Sequence, residues 1–222
     1  MDIPSILRQL ALSAFPVLVA ITFHELSHGF IANRLGDPTA RMLGRLTINP
    51  FAHIDIFGTV ILPLMLLIFT NGQFVFGYAK PVPVNPMNFK NPRRGMAITA
   101  AGGPITNLIL AVLSILLLRF LVFPLSGVLP EVMAGKTLIP LALMLEASIT
   151  INVVLAAFNL LPIPPLDGGR VLVGLLPQRQ AISFSKIEPF GFIIVVILIA
   201  TGIASYFVIP LVNLFLRVLR IF

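Results

Sequence analysis

Residues suited to metal-dependent hydrolysis lie close together near the start of the chain, in the stretch FHELSHG at positions 23–29. On a helix, residues four apart share a face one turn apart, so His24 and His28 can direct two imidazoles at one metal ion. Glu25 then lies beside that ion and can take a proton from water. Two neutral histidines, an open position for water and a nearby carboxylate are the arrangement of zinc hydrolases.

This pattern is specific for its length. With only three histidines in 222 residues, the chance of finding His-Glu-x-x-His in a random order of the same residues is on the order of one in a thousand. The alternative interpretation is a membrane helix whose polar residues pack against neighbouring helices. The metal site is favoured, because ionisable side chains at bilayer depth are costly and usually functional.

The composition is that of a polytopic membrane protein, since 58% of the residues are hydrophobic, 10% are charged and the mean hydropathy is +1.04. The net charge of +7 does not indicate nucleic acid, because the basic residues lie in short loops between apolar runs, where they orient the chain and meet anionic lipid. The chain has no cysteine, so a metal must be held by histidine and carboxylate.

Hydrophobic runs predict the membrane-spanning helices. The first covers about residues 6–35, and later ones cover 95–123 and 137–161, with an outside loop at 124–136 between them. The apolar region 191–222 is either one tilted helix or two passes with a break near 206–210. Basic residues follow the first span and precede the second, which puts both ends on the cytoplasmic side, with His28 about 10 Å from the end marked by Arg34.

Because these two ends share one side, the chain between them must enter the membrane and return. Residues 57–69 are apolar but short for a crossing, and after a turn at Asn71-Gly72-Gln73 the stretch FVFGYAKPVPVNP indicates an extended chain. Such backbone is tolerated at that depth only where it lines protein or a water-filled cleft. We therefore expect residues 74–84 to border the active site, where an edge strand can pair with an unwound substrate segment.

A carboxylate follows a proline-rich break at the end of the span 137–161. The stretch PIPP at 162–165 excludes a regular helix and unwinds the chain at the depth of the two histidines. Asp167 comes next and is predicted to be the third zinc ligand, which leaves a fourth position for water. The alternative is that Asp167 caps a short helix over 169–176.

Five other polar residues carry weaker signals. His53 is more typical of a residue that fixes a loop, because no spacing pairs it with the helix site. Glu146 is interpreted as a hydrogen-bonded structural acid in preference to a ligand or proton relay, and Asn107 as a helix-to-helix hydrogen bond. Asn152 and Asn159 are seven apart and share a face, so both can border the cleft.

Together, these stretches resemble the site-2 protease family, the zinc-dependent intramembrane metalloproteases. The resemblance covers about residues 23–176 and is carried by FHELSHG at 23–29, GRLTINPFAHID at 44–55, GYAKPVPVNP at 77–86, AGGPITN at 101–107 and FNLLPIPPLDGGR at 158–170. It implies that His24, His28 and Asp167 bind one Zn²⁺ ion and that Glu25 is the catalytic base. It also implies that Asn159 contacts the substrate or the oxyanion.

The sequence therefore predicts an all-α polytopic membrane protein with about five to six transmembrane helices, and with a re-entrant helix and extended hairpin between the first and third apolar segments. Residues 1–222 are expected to form a single membrane-embedded metalloprotease domain, without the PDZ or CBS module that the family often carries. The expected function is zinc-dependent cleavage of transmembrane protein or peptide substrates in the lipid bilayer of a bacterial or archaeal cell, with the active site toward the cytoplasm. The alternative is a non-proteolytic transporter or substrate-binding relative that uses the same polar cluster.

Overall fold

A computed structural model describes residues 3–69 and 77–221, and within these ranges the chain is helical with no β-strand. The predicted all-α class is therefore confirmed. The α-helices in chain order are α1 (Ile3–Arg34), α2 (Thr39–Met42), α3 (Leu62–Phe69), α4 (Pro92–Leu117), α5 (Phe123–Ser126), α6 (Glu131–Asn159), α7 (Asp167–Leu175), α8 (Gln178–Ser185), α9 (Glu188–Ala200) and α10 (Ile203–Leu219). Short 3-10 turns lie at Pro50–His53 and Pro86–Asn88, and π-helical turns at Ile56–Ile61 and Leu118–Val122.

Three helical segments are long and apolar enough to cross a membrane: Ala11–Arg34, Pro92–Ser126 and Glu131–Asn159. Helices α8 and α9 together pass the same test but are bent by 65° at their junction. The described residues therefore contain three candidate spans, or four if the bent pair is one broken span. The number of five to six transmembrane helices stays a prediction.

Two of the predicted boundaries are wrong. Helix α6 begins at Glu131, so residues 131–136 are helical and the loop before them is shorter than the predicted 124–136. The break in the last apolar region lies at Thr201 and Gly202, and α10 continues without a break through Pro210. Gly202 has a φ of 76°, a left-handed conformation that glycine adopts without strain and that ends α9.

Helix α4 lies at the centre of the fold and packs against α1, α6 and α7. Its buried face is made of small and polar residues, among them Thr99, Ala100, Gly102, Gly103 and Asn107. In a membrane, small residues let helix backbones approach closely, and packing and interhelical hydrogen bonds drive their association. The sequence of α4 thus explains why three other helices can meet around it.

Buried polar side chains connect α4 to α6. The Asn107 Nδ2 group donates to Asn152 Oδ1 at 2.8 Å, and the Ser114 hydroxyl donates to Ser148 Oγ at 2.9 Å. Both asparagines are fully buried. The predicted helix-to-helix hydrogen bond of Asn107 is therefore confirmed.

The segment 77–85 after α3 is not helical, and its hydrogen bonds are typical of an extended chain. The N–H groups of Tyr78 and Lys80, at alternate positions, donate to the carbonyl groups of Gly58 and His53, each at 3.0 Å. The predicted turn at 71–73 and the first part of the predicted extended stretch lie outside the described residues. The extended conformation is thus supported over 77–85, and the hairpin stays a prediction.

Asp37, in the loop after α1, ties the end of this segment to the first span. Its buried carboxylate accepts hydrogen bonds from the Asn85 N–H at 2.7 Å, from Asn88 Nδ2 at 2.6 Å and from Thr39. Burial raises the pKa of this carboxyl, but the hydrogen bonds from Thr39, Asn88 and Asn85 outweigh burial and hold the pKa below its ordinary value. The fold therefore requires the ionised form of Asp37.

We expect Asp37→Asn to lower the stability of the purified protein at neutral pH by about 1–3 kcal/mol, because hydrogen bonds to a charged group are lost. The folded-state pKa is depressed, so this contribution is complete above the unfolded-state pKa of about 3.9 and is lost as the pH falls through the lower folded-state pKa. Thermal unfolding in detergent, measured for both proteins across acid pH, should show the difference shrinking. A difference that is constant with pH would contradict the assignment.

Candidate metal centre

The two histidines of α1 face the first residue of α7. His24 and His28 lie one helical turn apart, with ring centroids separated by 4.7 Å. Asp167 Oδ2 lies 3.2 Å from His24 Nε2 and 3.4 Å from His28 Nε2. One possible ligand atom from each residue lies within 4.8 Å of the other two, so a single ion can contact all three side chains.

A turn that contains three prolines brings Asp167 to the histidines. Helix α6 ends at Asn159, and the chain bends back through residues 160–166 before α7 begins. Only glycine fits at Gly168 and Gly169, because a Cβ at either position would overlap backbone atoms of this turn. Leu166 occupies the position before α7, so the alternative role of Asp167 as a helix cap is not found.

His28 is fixed by a hydrogen bond to α4 that also sets its tautomer. Its Nδ1 lies 2.8 Å from the carbonyl oxygen of Thr99. A carbonyl oxygen can only accept, so Nδ1 carries the proton and donates. In the neutral imidazole, Nε2 is then the unprotonated nitrogen, and it faces Asp167, as a metal ligand requires.

His24 is fixed in the same way by the Asn107 side chain. Its Nδ1 lies 2.6 Å from Asn107 Oδ1. The amide orientation follows from the other end of Asn107, whose Nδ2 donates to the Ala20 carbonyl at 3.3 Å and to Asn152 Oδ1. Oδ1 therefore accepts from the Nδ1–H of His24, and Nε2 of this ring is also free to bind a metal.

These side chains fit a zinc ion. Among the described residues, Asp167 Oδ2 is buried without a hydrogen-bond partner, which is costly for a carboxylate oxygen unless a cation compensates it. Two imidazole nitrogens and one carboxylate oxygen are a ligand set of catalytic zinc sites. Gly103 of α4 leaves room for the rings, since a Cβ there would lie 2.6 Å from His24 Nε2 and 2.7 Å from His28 Cε1.

Glu25 borders the same cavity and is held by the extended segment. The Val82 N–H donates to Glu25 Oε2 at 2.8 Å. The other carboxylate oxygen makes no hydrogen bond within residues 3–69 and 77–221. The carboxylate is therefore oriented at one oxygen and available for water at the other.

A cavity of about 510 Å³ contains these groups. Its wall is mostly apolar and includes the aromatic rings of Phe57, Tyr78 and Phe192, while polar groups converge at the metal site, as in many binding sites. Asn159 also lines the cavity, and its Nδ2 donates to the Leu155 carbonyl at 3.0 Å. One amide hydrogen and the Oδ1 atom of Asn159 remain without a partner in the described part of the chain.

Two weaker candidates lie outside this cluster. His53 is 1% exposed and its Nε2 donates to the Thr47 carbonyl at 2.9 Å, which supports the predicted loop-fixing role. Glu146 is exposed on α6, and its carboxylate makes no hydrogen bond to the described residues. The hydrogen-bonded structural role predicted for Glu146 is therefore not found.

Three groups that shape the site were missed by sequence reasoning. The Thr99 carbonyl and the Val82 N–H are backbone groups, and side-chain patterns carry no signal for them. Gly103 belongs to a stretch that was interpreted only as close helix packing. Adjacent glycines in a spanning helix were the available signal, because they leave space for bulky side chains such as imidazoles.

Comparison with known proteins identifies the family of the chain. The family model described as Peptidase family M50 matches residues 133–202. The chain is 38% identical over 197 residues to "Putative zinc metalloprotease YwhC" of Bacillus subtilis, an alignment that covers 89% of this chain and 84% of that protein. It is 31% identical over 185 residues to Rip2 of Mycolicibacterium smegmatis, which has the same description. That alignment covers 83% of this chain and 64% of the relative, and no solved structure matches the chain.

The chain therefore belongs to peptidase family M50, the site-2 protease family that the sequence resembled. It is a membrane metalloprotease that uses zinc and acts on peptide or protein substrates.

We expect Gly103→Ala to weaken zinc binding by about 10- to 100-fold, the range typical of changes next to metal ligands, because the added methyl group overlaps both imidazoles. Gly102→Ala is the matched control on the same helix. Its Cβ would meet the Cδ1 end of Ile31, a flexible group that can rotate away. Zinc affinity is measured by competition with a chelator, and equal losses in the two variants would contradict this role of Gly103.

Proposed function

We propose that the protein is an intramembrane endopeptidase that cleaves transmembrane substrates near the cytoplasmic face of the membrane. The observation that carries this proposal is the convergence of His24, His28 and Asp167 beside Glu25, in a cavity bounded by helices long enough to span a bilayer. A hydrolytic centre at that depth reaches peptide bonds that soluble proteases cannot.

The positions of basic residues support an active site near the cytoplasmic face. Arg34 ends α1, Arg41 lies in the short helix α2, Arg45 lies in the loop after it, and Arg93 and Arg94 lie in the first turn of α4. Short basic segments at membrane boundaries are retained on the cytoplasmic side. His28 lies six residues before Arg34, about 10 Å from this boundary, so water has a short path to the centre.

The chain's residues divide the chemistry. His24, His28 and Asp167 would hold the zinc ion, which when bound would supply a Lewis acid for the attacking water and the scissile carbonyl. Glu25 accepts the water proton at its free carboxylate oxygen and passes it to the leaving amine. Asn159 has an unused amide hydrogen at the cavity wall, which can donate to the developing oxyanion or to the substrate backbone.

The extended segment supports a substrate that is unwound before cleavage. The N–H groups of Tyr78 and Lys80 donate to the carbonyl groups of Gly58 and His53. Ala79, between them, lines the cavity, and its backbone groups make no hydrogen bond to the described residues. Alternate residues of an extended chain point to opposite sides, so this side is open to an added strand. Pairing there would compensate a substrate for its broken helix.

The metal ligands are tested by zinc analysis of purified variants. We expect wild type to carry about one zinc ion per chain and Asp167→Ala to carry far less, because a charged ligand is lost. Asn159→Ala is the control, since it changes the same cavity without removing a ligand. Zinc retained in Asp167→Ala would remove Asp167 from the site.

The base is tested separately. Glu25→Gln keeps an oxygen that can accept from the Val82 N–H, so we expect the fold and zinc content to be unchanged. Cleavage of a model transmembrane substrate in detergent should fall by about 10²- to 10⁴-fold, because the amide cannot take a proton from water. Full cleavage by a zinc-loaded Glu25→Gln protein would show that another group is the base.

A further inference from the structure

A second cavity, of about 720 Å³, adjoins the catalytic one. It lies between the start of α4, helices α7 and α8 and the first residue of α9. Val84, Met96 and Arg170 line both cavities, so the two form neighbouring parts of one surface. An extended chain that runs from the metal centre past these three shared residues enters the second cavity.

Its charges are predominantly positive. Arg93, Arg170 and Lys186 contribute three cations to the lining, and Glu188 contributes one anion. The remaining wall is largely apolar, with residues such as Val84, Val173 and Ile182. The combination suits a short peptide that has apolar side chains and a carboxylate.

The ion pair between Arg170 and Glu188 in this cavity is weak enough to exchange. Arg170 Nη2 lies 3.5 Å from Glu188 Oε1, and the two side chains are 41% and 47% exposed. Exposed pairs at this distance contribute little, because water screens them. A carboxylate from another chain can therefore replace Glu188 beside Arg170.

We propose that this second cavity binds an acidic residue on the soluble flank of the substrate's transmembrane segment, and so determines which substrates are cleaved. The inference rests on the proposed intramembrane protease function and names its substrate class. Arg93 lies in the first turn of α4, at the basic membrane boundary, so the residue it meets belongs to the flank of the substrate rather than to its apolar core.

This recognition separates substrates from the bulk of membrane proteins. Transmembrane segments generally carry lysine and arginine on the cytoplasmic flank. Such flanks are repelled by a cavity with three cations and one anion, whereas an acidic flank is attracted. A chain is the favoured occupant over an anionic lipid, because the second cavity shares Val84, Met96 and Arg170 with the cavity where a peptide must lie for cleavage.

The test uses three model substrates with the same transmembrane segment and one flanking residue that is Asp, Asn or Lys, placed in turn at successive positions. With the wild-type protein in a neutral detergent, kcat/KM should be highest for the Asp substrate, lower for Asn and lowest for Lys at one or a few positions. Each ion pair is expected to raise kcat/KM by about 1.5- to 5-fold, mainly by lowering KM. Charge reversal by Lys186→Glu or Arg93→Glu should compress or invert this order, and Glu188→Gln should widen it, because Arg170 is freed.

Arg179→Glu is the matched control, since Arg179 is an exposed cation of α8 that does not line the second cavity. It should leave the order unchanged. Equal cleavage of all three substrates by wild type would overturn the inference while the protease function stands, whereas no cleavage of any substrate would point to failure of the proposed function. If the order disappears when phosphatidylglycerol replaces phosphatidylcholine in vesicles, an anionic lipid headgroup occupies the cavity and the inference is also overturned.

Discussion

The rest of the structure depends on one electrostatic constraint: two imidazoles and a carboxylate, which together could hold a metal ion, must be kept close to one another in a largely apolar environment. Each imidazole can do this only if its other nitrogen has an acceptor, since an unsatisfied N–H at that depth is costly. Helix α4 provides both acceptors, the Thr99 carbonyl and Asn107 Oδ1. It also provides the space, through Gly103, which explains why α4 occupies the centre of the fold.

The parts of this centre that sequence predicted are those with a local physical signature. His24 and His28 are four residues apart, and helical geometry alone places them on one face. Asp167 could be predicted because a run of prolines cannot continue a helix, so the chain must bend where it returns to the depth of the histidines. The ends of the spans are predicted less well. Hydropathy does not show whether residues 131–136 form a helix or a loop. It also does not show the left-handed conformation of Gly202, which lies within an apolar run.

The parts that sequence did not predict are contacts between residues far apart in the chain. The His24–Asn107, His28–Thr99 and Glu25–Val82 hydrogen bonds span 83, 71 and 57 residues, respectively. Two of the three use a backbone group, and such groups carry no sequence signal, because every residue has a carbonyl and every residue except proline has an N–H. A hydrogen bond from Asn107 to another helix could be predicted, but not that its partner is His24. That partner follows because the amide NH2 group of Asn107 donates to Ala20 on α1 and Asn152 on α6, which leaves its oxygen for His24.

One of these contacts, the hydrogen bond from Val82, connects Glu25 to the extended segment 77–85. Pro81 and Pro83 have no N–H, so Val82 provides the one backbone donor between Lys80 and Val84. That donor is used by Glu25, while Lys80 and Asn85 on either side are anchored to His53 and Asp37. The segment that borders the cavity is therefore held at three points along its length, and the middle point is the carboxylate of Glu25, the proposed base. This hydrogen bond connects the cavity wall directly to Glu25, the residue proposed as the base.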